Sequence, residues 1–152
     1  TYSFNVQPLN DGTQALAIGD VVDGSITTAG QTQTYTFSLP TATSLYFDSL
    51  TNANVLRWSL IGPTGTLVNN RTFNSSDANS LFAVLNLSAG NYSIVVSGSS
   101  DNIGSYRFRV FDLAGAEPFT PGVPVSGTLN PGTIRPLLNS RMRILSLSTT
   151  IV

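Results

Sequence analysis

Eight carboxylates are the first candidates for chemistry in this 152-residue chain: Asp11, Asp20, Asp23, Asp48, Asp77, Asp101, Asp112 and Glu117. Glycoside hydrolysis needs two of them at a defined separation across a cleft, and no spacing here nominates a pair. Most sit in turn-like contexts, where Asp is favoured because its side chain bonds nearby backbone. Serine is plentiful, but the chain has no His and no Lys, so no serine has an evident general base. The missing His also removes the commonest transition-metal ligand. The missing Cys removes thiolate zinc sites, a disulfide framework and a cysteine nucleophile. Without Lys there is neither Schiff-base chemistry nor a P-loop. All seven basic residues are Arg, and a net charge of −1 makes no electrostatic case for a nucleic-acid partner. The inventory points away from an enzyme.

Oxygen ligands remain. Calcium asks only for carboxylate, amide and backbone oxygens, and two loops offer them: "NSSDAN" with Asp77, and "SGSSDNIG" with Asp101 and Asn102. Asp20 and Asp23 are a third, weaker set. None matches the EF-hand loop or the nonapeptide calcium repeat, and an Asx-rich turn explains each more simply. Calcium is therefore an optional ion here, and no other cofactor is expected. Sugar binding would use an exposed aromatic face beside planar polar groups. Trp58 alternates in phase with Leu56 and Leu60, which assigns it to the core. Tyr46 is out of phase with Leu45 and Phe47 and lies beside Asp48. A hairpin between strands 44–50 and 55–61 would bring Arg57 close to both. Arg107 and Arg109 make a second outward pair. Tyr46, Asp48, Arg57, Arg107 and Arg109 are thus the candidate ligand face; an ordinary cross-strand charge cluster on a solvated surface is the plainer account.

The elements that must carry these residues are strands. Hydrophobic residues are 41% of the chain and charged residues 10%, with polarity supplied by Ser, Thr, Asn and Gly. Strand signals fall at Val21–Ile26 and at 33–39, 44–50, 55–61, 66–69, 80–85, 91–97 and 105–111, each closed by turn residues such as "TTAG", "GPTG" and "LSAG". Pro63 in "GPTG" presets the backbone of a tight turn. No window keeps a helical period. This spacing predicts an all-β fold, an antiparallel two-sheet β-sandwich of jelly-roll or Greek-key type with about eight strands. Period-two alternation assigns Tyr35, Phe37, Leu39, Leu45, Phe47, Leu56, Trp58, Leu60, Tyr92, Ile94, Val96, Tyr106, Phe108 and Val110 to its core. No apolar run approaches the roughly 18 residues of a membrane span.

The chain also repeats itself. "VDGSI" around Gly24 returns as "VSGTL" around Gly127, 103 positions later, and "TYSFNVQPL" at 1–9 returns as "SYRFRVFDL" at 105–113, 104 positions later. Two matches at nearly one offset indicate a repeat array cut out of register. Residues 1–18 then hold the last strand of a preceding unit and a linker. Residues 19–113 are one complete sandwich, 114–121 a linker, and 122–152 the start of a following unit. That last stretch diverges after "NPGT" into "IRPLLNSRMRILSLSTTIV". It reads either as a diverged strand that still pairs or as a shifted frame, since codons for residues 145–149 permit "SISFD" one frame over, close to "SLYFD" at 44–48. A start at Thr1 without Met or leader fits a processed or excised piece. The stray strand at 1–7 is expected to pair with an edge of this sandwich or of another copy. Four Asn-x-Ser/Thr triplets, at Asn70, Asn74, Asn86 and Asn91, are read as turn and strand chemistry.

At "LIGPTGTLVNN … LNLSAGNYSIVVSGSSDNIGSYRFRV" the chain resembles the bacterial pre-peptidase C-terminal domain family. It is also similar to the longer repeats of large secreted or surface-attached bacterial proteins, through "YFD" and "VSGTL". The Leu87, Gly90, Tyr92 pattern looks like the tyrosine corner of Greek-key sandwiches, a structural role for Tyr92. The resemblance implies a non-catalytic, extracellular module, either a spacer or adhesive repeat or an accessory domain that targets a secreted hydrolase to carbohydrate or another polymer. Some members bind calcium. Expected partners are neighbouring repeats or a second copy through strand pairing, or polysaccharide, with no nucleic acid and no membrane insertion.

Overall fold

Strands form where alternate side chains can be buried on one face, and nine of them build this sandwich among the described residues. The computed structural model describes residues 1–6, 8–76, 84–116, 120 and 122–124, with backbone pairing alone at 117–118, 137–138 and 143–144. The strands are β1 (Gly12–Ala15), β2 (Val21–Ile26), β3 (Thr32–Leu39), β4 (Thr43–Ser49), β5 (Leu56–Gly62), β6 (Gly65–Thr72), β7 (Val84–Leu87), β8 (Gly90–Gly98) and β9 (Gly104–Asp112). One sheet runs β1-β3-β8-β5-β6 and the other β2-β9-β4-β7. From β2 onward the chain changes sheet at every connection except the β5–β6 hairpin. That is the jelly-roll order, two Greek keys wound together.

The eight strands expected from the alternation are present; β2 has the expected bounds and the other described ends differ by no more than three residues, while the start of the segment at 80–85 lies outside the described residues. The ninth, β1, falls in the stretch read as linker. Its "GTQA" has no alternation to detect, because it is a short edge strand that pairs in parallel with β3 and keeps most of its surface in solvent. Leu16, just after it, is buried in the core. Farther on, Glu117–Pro118 pairs with Leu137–Leu138, which pairs with Arg143–Ile144. The repeated "VSGTL" and residues 145–149 lie outside the described residues.

Every residue that alternation placed in the core is buried. Across the middle of the sandwich Trp58 stacks on Phe47 with centroids 3.9 Å apart, and Phe47 stacks in turn on Phe108 at 5.0 Å. Tyr92 lies over Phe37, and its hydroxyl donates to the Ser88 carbonyl at 2.8 Å, four residues upstream. This ties the β7–β8 turn to the new strand. Gly62 leaves room for the Tyr92 ring, since a Cβ there would stand 2.5 Å from it.

Two buried tyrosines share a hydrogen bond between the sheets, Tyr35 to Tyr106 at 2.8 Å. Burial pushes both phenols up from their ordinary value, so neither ionises in the working range. Opposite Tyr106 on β2 stands Gly24, where a Cβ would come within 2.5 Å of the ring carbon that bears the hydroxyl. The glycine of the repeated "VDGSI" is thus the counterpart of the tyrosine in the repeated "SYRF". Removing one hydroxyl of the tyrosine pair strands the other. Tyr35→Phe is expected to cost about 1–3 kcal/mol, and the double Tyr35→Phe/Tyr106→Phe less than the two singles together, as read by urea denaturation.

Candidate functional site

The five candidate ligand residues divide between the two sheets. Tyr46 and Asp48 come from β4, Arg107 and Arg109 from β9, and these strands are hydrogen-bonded neighbours with Asp48 opposite Arg109 and Tyr46 opposite Phe111. Arg57 is on β5, in the other sheet. The expected hairpin between strands 44–50 and 55–61 does not form: the chain crosses the sandwich between them, so Arg57 is not a neighbour of Tyr46 and Asp48. It donates instead to the Asn70 carbonyl at 3.1 Å, beside a bulge in β6 where Asn70 has a φ of 49° and its N–H bonds the Ser59 hydroxyl. The role visible for Arg57 is to hold that bulge.

Alternation correctly places Tyr46 and Asp48 on the face of β4 away from the main core, but that face is not solvated. Tyr46 is 2% exposed and Asp48 1%. After β9 the chain makes a tight turn, Leu113–Gly115, capped by Asp112, whose carboxylate accepts the Ala114 N–H at 2.8 Å. The turn sets Leu113 against Tyr46, and Val84 and Phe111 complete a second small apolar cluster outside the sandwich. The Tyr46 ring therefore presents no open face to a sugar.

Asp48 is held by Arg109, which reaches its Oδ2 with both Nε (3.1 Å) and Nη2 (2.9 Å). The same guanidinium lies 4.1 Å over the Phe111 ring, a cation–π contact. Burial pushes the Asp48 carboxyl above its ordinary 3.8, against the downward pull of Arg109. Arg107 stands apart in solvent and meets Asp23 at 3.0 Å across to β2. Exposed pairs of this kind contribute little. The arrangement is one buried ion pair, one surface ion pair and one bulge clamp; Leu113, which packs on Tyr46, has nothing in its local sequence that marks what it covers.

Of the calcium candidates, Asp77 lies outside the described residues. Asp101 and Asn102 are exposed in the β8–β9 turn, where the Asn102 amide donates to the Ser99 carbonyl at 2.6 Å and Ser100 takes a φ of 54°. Asn102 thus serves as a turn clasp. Among the described residues no three His, Cys, Asp or Glu side chains gather in a way that could hold a metal, and no helix is long and apolar enough to cross a membrane. Among the described residues an open groove of about 460 Å³ lies on the outside of the five-stranded sheet, lined by Ala15, Thr36, Ser38, Asn91 and Ser93 among others.

No family model matches the chain, and no curated protein matches it. Among solved structures it is similar to the pre-peptidase C-terminal domain of a collagenase from Bacillus anthracis, at 21% identity over 70% of this chain and 99% of that one, with a TM-score of 0.49. It is also similar to the Salmonella Typhimurium periplasmic inhibitor of g-type lysozyme, at 14% identity over 66% of this chain and 97% of that one, with a TM-score of 0.51. The likeness to the Salmonella protein is one of fold, the two-sheet β-sandwich.

Proposed function

We propose that the chain is a non-catalytic extracellular module of a large bacterial secreted or surface protein, which spaces and links its neighbours. One repeat occupies residues 19–113, lengthened upstream by β1. Residues 1–9 and 122–133 carry strand sequences of the adjoining units. The observation that supports this most is where the two repeated sequences map. They fall on β2 and β9, which are hydrogen-bonded partners in the sandwich, with Gly24 opposite Tyr106. The outlying copies are thus one half each of a matched strand pair, as expected at the borders of units in an array.

A second reading, an accessory module that targets a secreted hydrolase to a polymer, is favoured by the hydroxyl-lined groove over β3 and β8 and by its resemblance to pre-peptidase domains. Cosedimentation of the full chain with insoluble polysaccharides and fibrillar collagen separates the two. The spacer reading expects no retention, and a melting temperature that is the same in calcium and in chelator. Retention that is lost on Thr36→Tyr, which fills the groove, would replace it with the targeting reading.

A further inference from the structure

Among the described residues two strand pairs are parallel. β1 lies along β3 with Thr13 opposite Thr34 and Gln14 opposite Tyr35, and Glu117–Pro118 lies along Leu137–Leu138 with Glu117 opposite Leu137. The second pair is the first displaced by one repeat. Thr13 moved by the 104 positions between Tyr2 and Tyr106 becomes Glu117, and Thr34 moved by the 103 positions of the Gly24 match becomes Leu137. Gln14 and Tyr35 map in the same way onto Pro118 and Leu138. Neither offset comes from these strands, yet both meet on one rung. This supports reading 117–118 as the counterpart of β1 in the following unit, seated on that unit's counterpart of β3.

The spacing leaves little length for a free linker. β9 ends at Asp112 and pairing resumes at Glu117. Between them Leu113–Gly115 form the tight turn, Leu113 packs on Tyr46, and the Ala116 N–H bonds the Leu113 carbonyl at 3.2 Å. Upstream, the same joint is present from its receiving side. Leu9 is the counterpart of Leu113, and β1 begins at Gly12. Gln31, buried in the turn between β2 and β3, donates through Nε2 to the Asn10 carbonyl at 2.7 Å. Its Oε1 accepts the Thr27 N–H at 2.7 Å and the Thr28 N–H at 3.3 Å. Asp11 accepts the Thr32 N–H at 2.7 Å, and Leu16 buries the far end of the segment in the core. A buried amide must find partners, and this one gives its donor to the arriving chain. Gly12 is level with Gln33, beside that turn, whereas Asp112 lies beyond Arg109, which is level with Val21 at the opposite end of β2. The chain thus enters the unit at one end and leaves it at the other.

We propose that consecutive units are joined end to end without a free linker. The strand that leaves one unit passes through a single tight turn onto the open edge of β3 in the next, where Gln31 and Asp11 lock it. The partner of the β2–β3 end of this sandwich is therefore the preceding copy of the unit, held in a fixed orientation. The joint rests on the repeat reading above and gives it a geometry, with Gln31 as a positioning residue for the neighbour. Repeats that touch only their neighbours take their array shape from such joints.

The joint is tested in the full chain with residues 10–113 duplicated directly after Leu113, which places the native junction between two complete units. The chain has no cysteine, so Thr64→Cys in each copy, on the exposed tip of the β5–β6 hairpin, carries a nitroxide for double electron–electron resonance. The distance distribution is expected to be at most about half as wide as that of the same chain with a Gly/Ser insert of roughly six residues at the junction. Gln31→Ala in the downstream copy is expected to widen it toward that of the insert. Gln31→Ala also removes bonds inside the β2–β3 turn, so Asp11→Ala, whose carboxylate bonds the β3 backbone at the joint, is measured beside it and is expected to act in the same direction. Circular dichroism reports that both units are folded. A distribution as wide as that of the insert, or one that neither substitution changes, overturns the joint. Neither result touches the module reading, which retention on polymers decides separately.

Discussion

Arg109→Met is expected to lower stability by about 3–5 kcal/mol, because it leaves the Asp48 carboxylate buried without its cation. The side chain of Asp48 is 1% exposed and that of Arg109 15%, so the pair lies far from the surface regime in which such bonds contribute under 1 kcal/mol. Replacing both partners with apolar residues, Asp48→Leu/Arg109→Met, should recover most of the loss, since the desolvation cost of the charges disappears with them. Urea denaturation of the two singles and the double measures the coupling. A single-mutant cost below 1 kcal/mol would mean that water reaches the carboxylate. The effect also has a pH signature. Burial raises the Asp48 carboxyl above 3.8 in the folded chain while Arg109 pulls it down, and removing Arg109 raises it further. A carboxyl with a raised folded pKa contributes stability below its unfolded pKa and loses it as pH rises through the folded value. The deficit of Arg109→Met should therefore be small in acid and grow as the pH climbs out of the ordinary carboxylate range.

Trp58→Ala should be of similar size, about 3–5 kcal/mol. Three separate contacts end together. The ring stacks on Phe47 at 3.9 Å, Arg71 lies 5.3 Å over it, and its Nε1 donates to the Ser76 hydroxyl at 2.7 Å. Ser76 in turn donates to the Thr72 carbonyl at 2.6 Å, so the indole anchors the tight turn after β6 as well as the core. Trp58→Phe keeps a ring for Phe47 but leaves Ser76 without its donor, and should fall between wild type and alanine. Circular dichroism in urea is the appropriate readout, because Trp58 is the single tryptophan of the chain and fluorescence is lost with it.

The contrast between these residues shows how far sequence reasoning reaches. Alternation settles which side of a strand a residue takes, and for Trp58, Phe47 and Tyr106 that side is the core. It settles sidedness for Tyr46 and Asp48 equally well, yet says nothing of what lies over the far face; there Leu113 packs on Tyr46 and Arg109 holds Asp48, each more than sixty positions away. Arg57 was drawn toward Tyr46 by nearness in sequence, whereas the jelly-roll order sends consecutive strands to opposite sheets. β1 gave no signal because an edge strand of four small and polar residues has no buried face to pattern. The Gly24 and Tyr106 repeat was legible as a match, but its meaning came only from the register that sets one against the other.

The pairing of β2 with β9 also decides how the unit bears load. Val21, at the start of β2, is level with Arg109, near the end of β9, so the chain enters and leaves this ladder on the same side of the sandwich. A pull on the two exits, once the four residues of β1 release, opens the ladder one rung at a time instead of shearing all rungs together. Such a unit yields early under tension, and each residue freed then adds roughly 3.4 Å of extended length. In a tethered array it would act as an extensible link that lets out slack before a stiffer neighbour breaks.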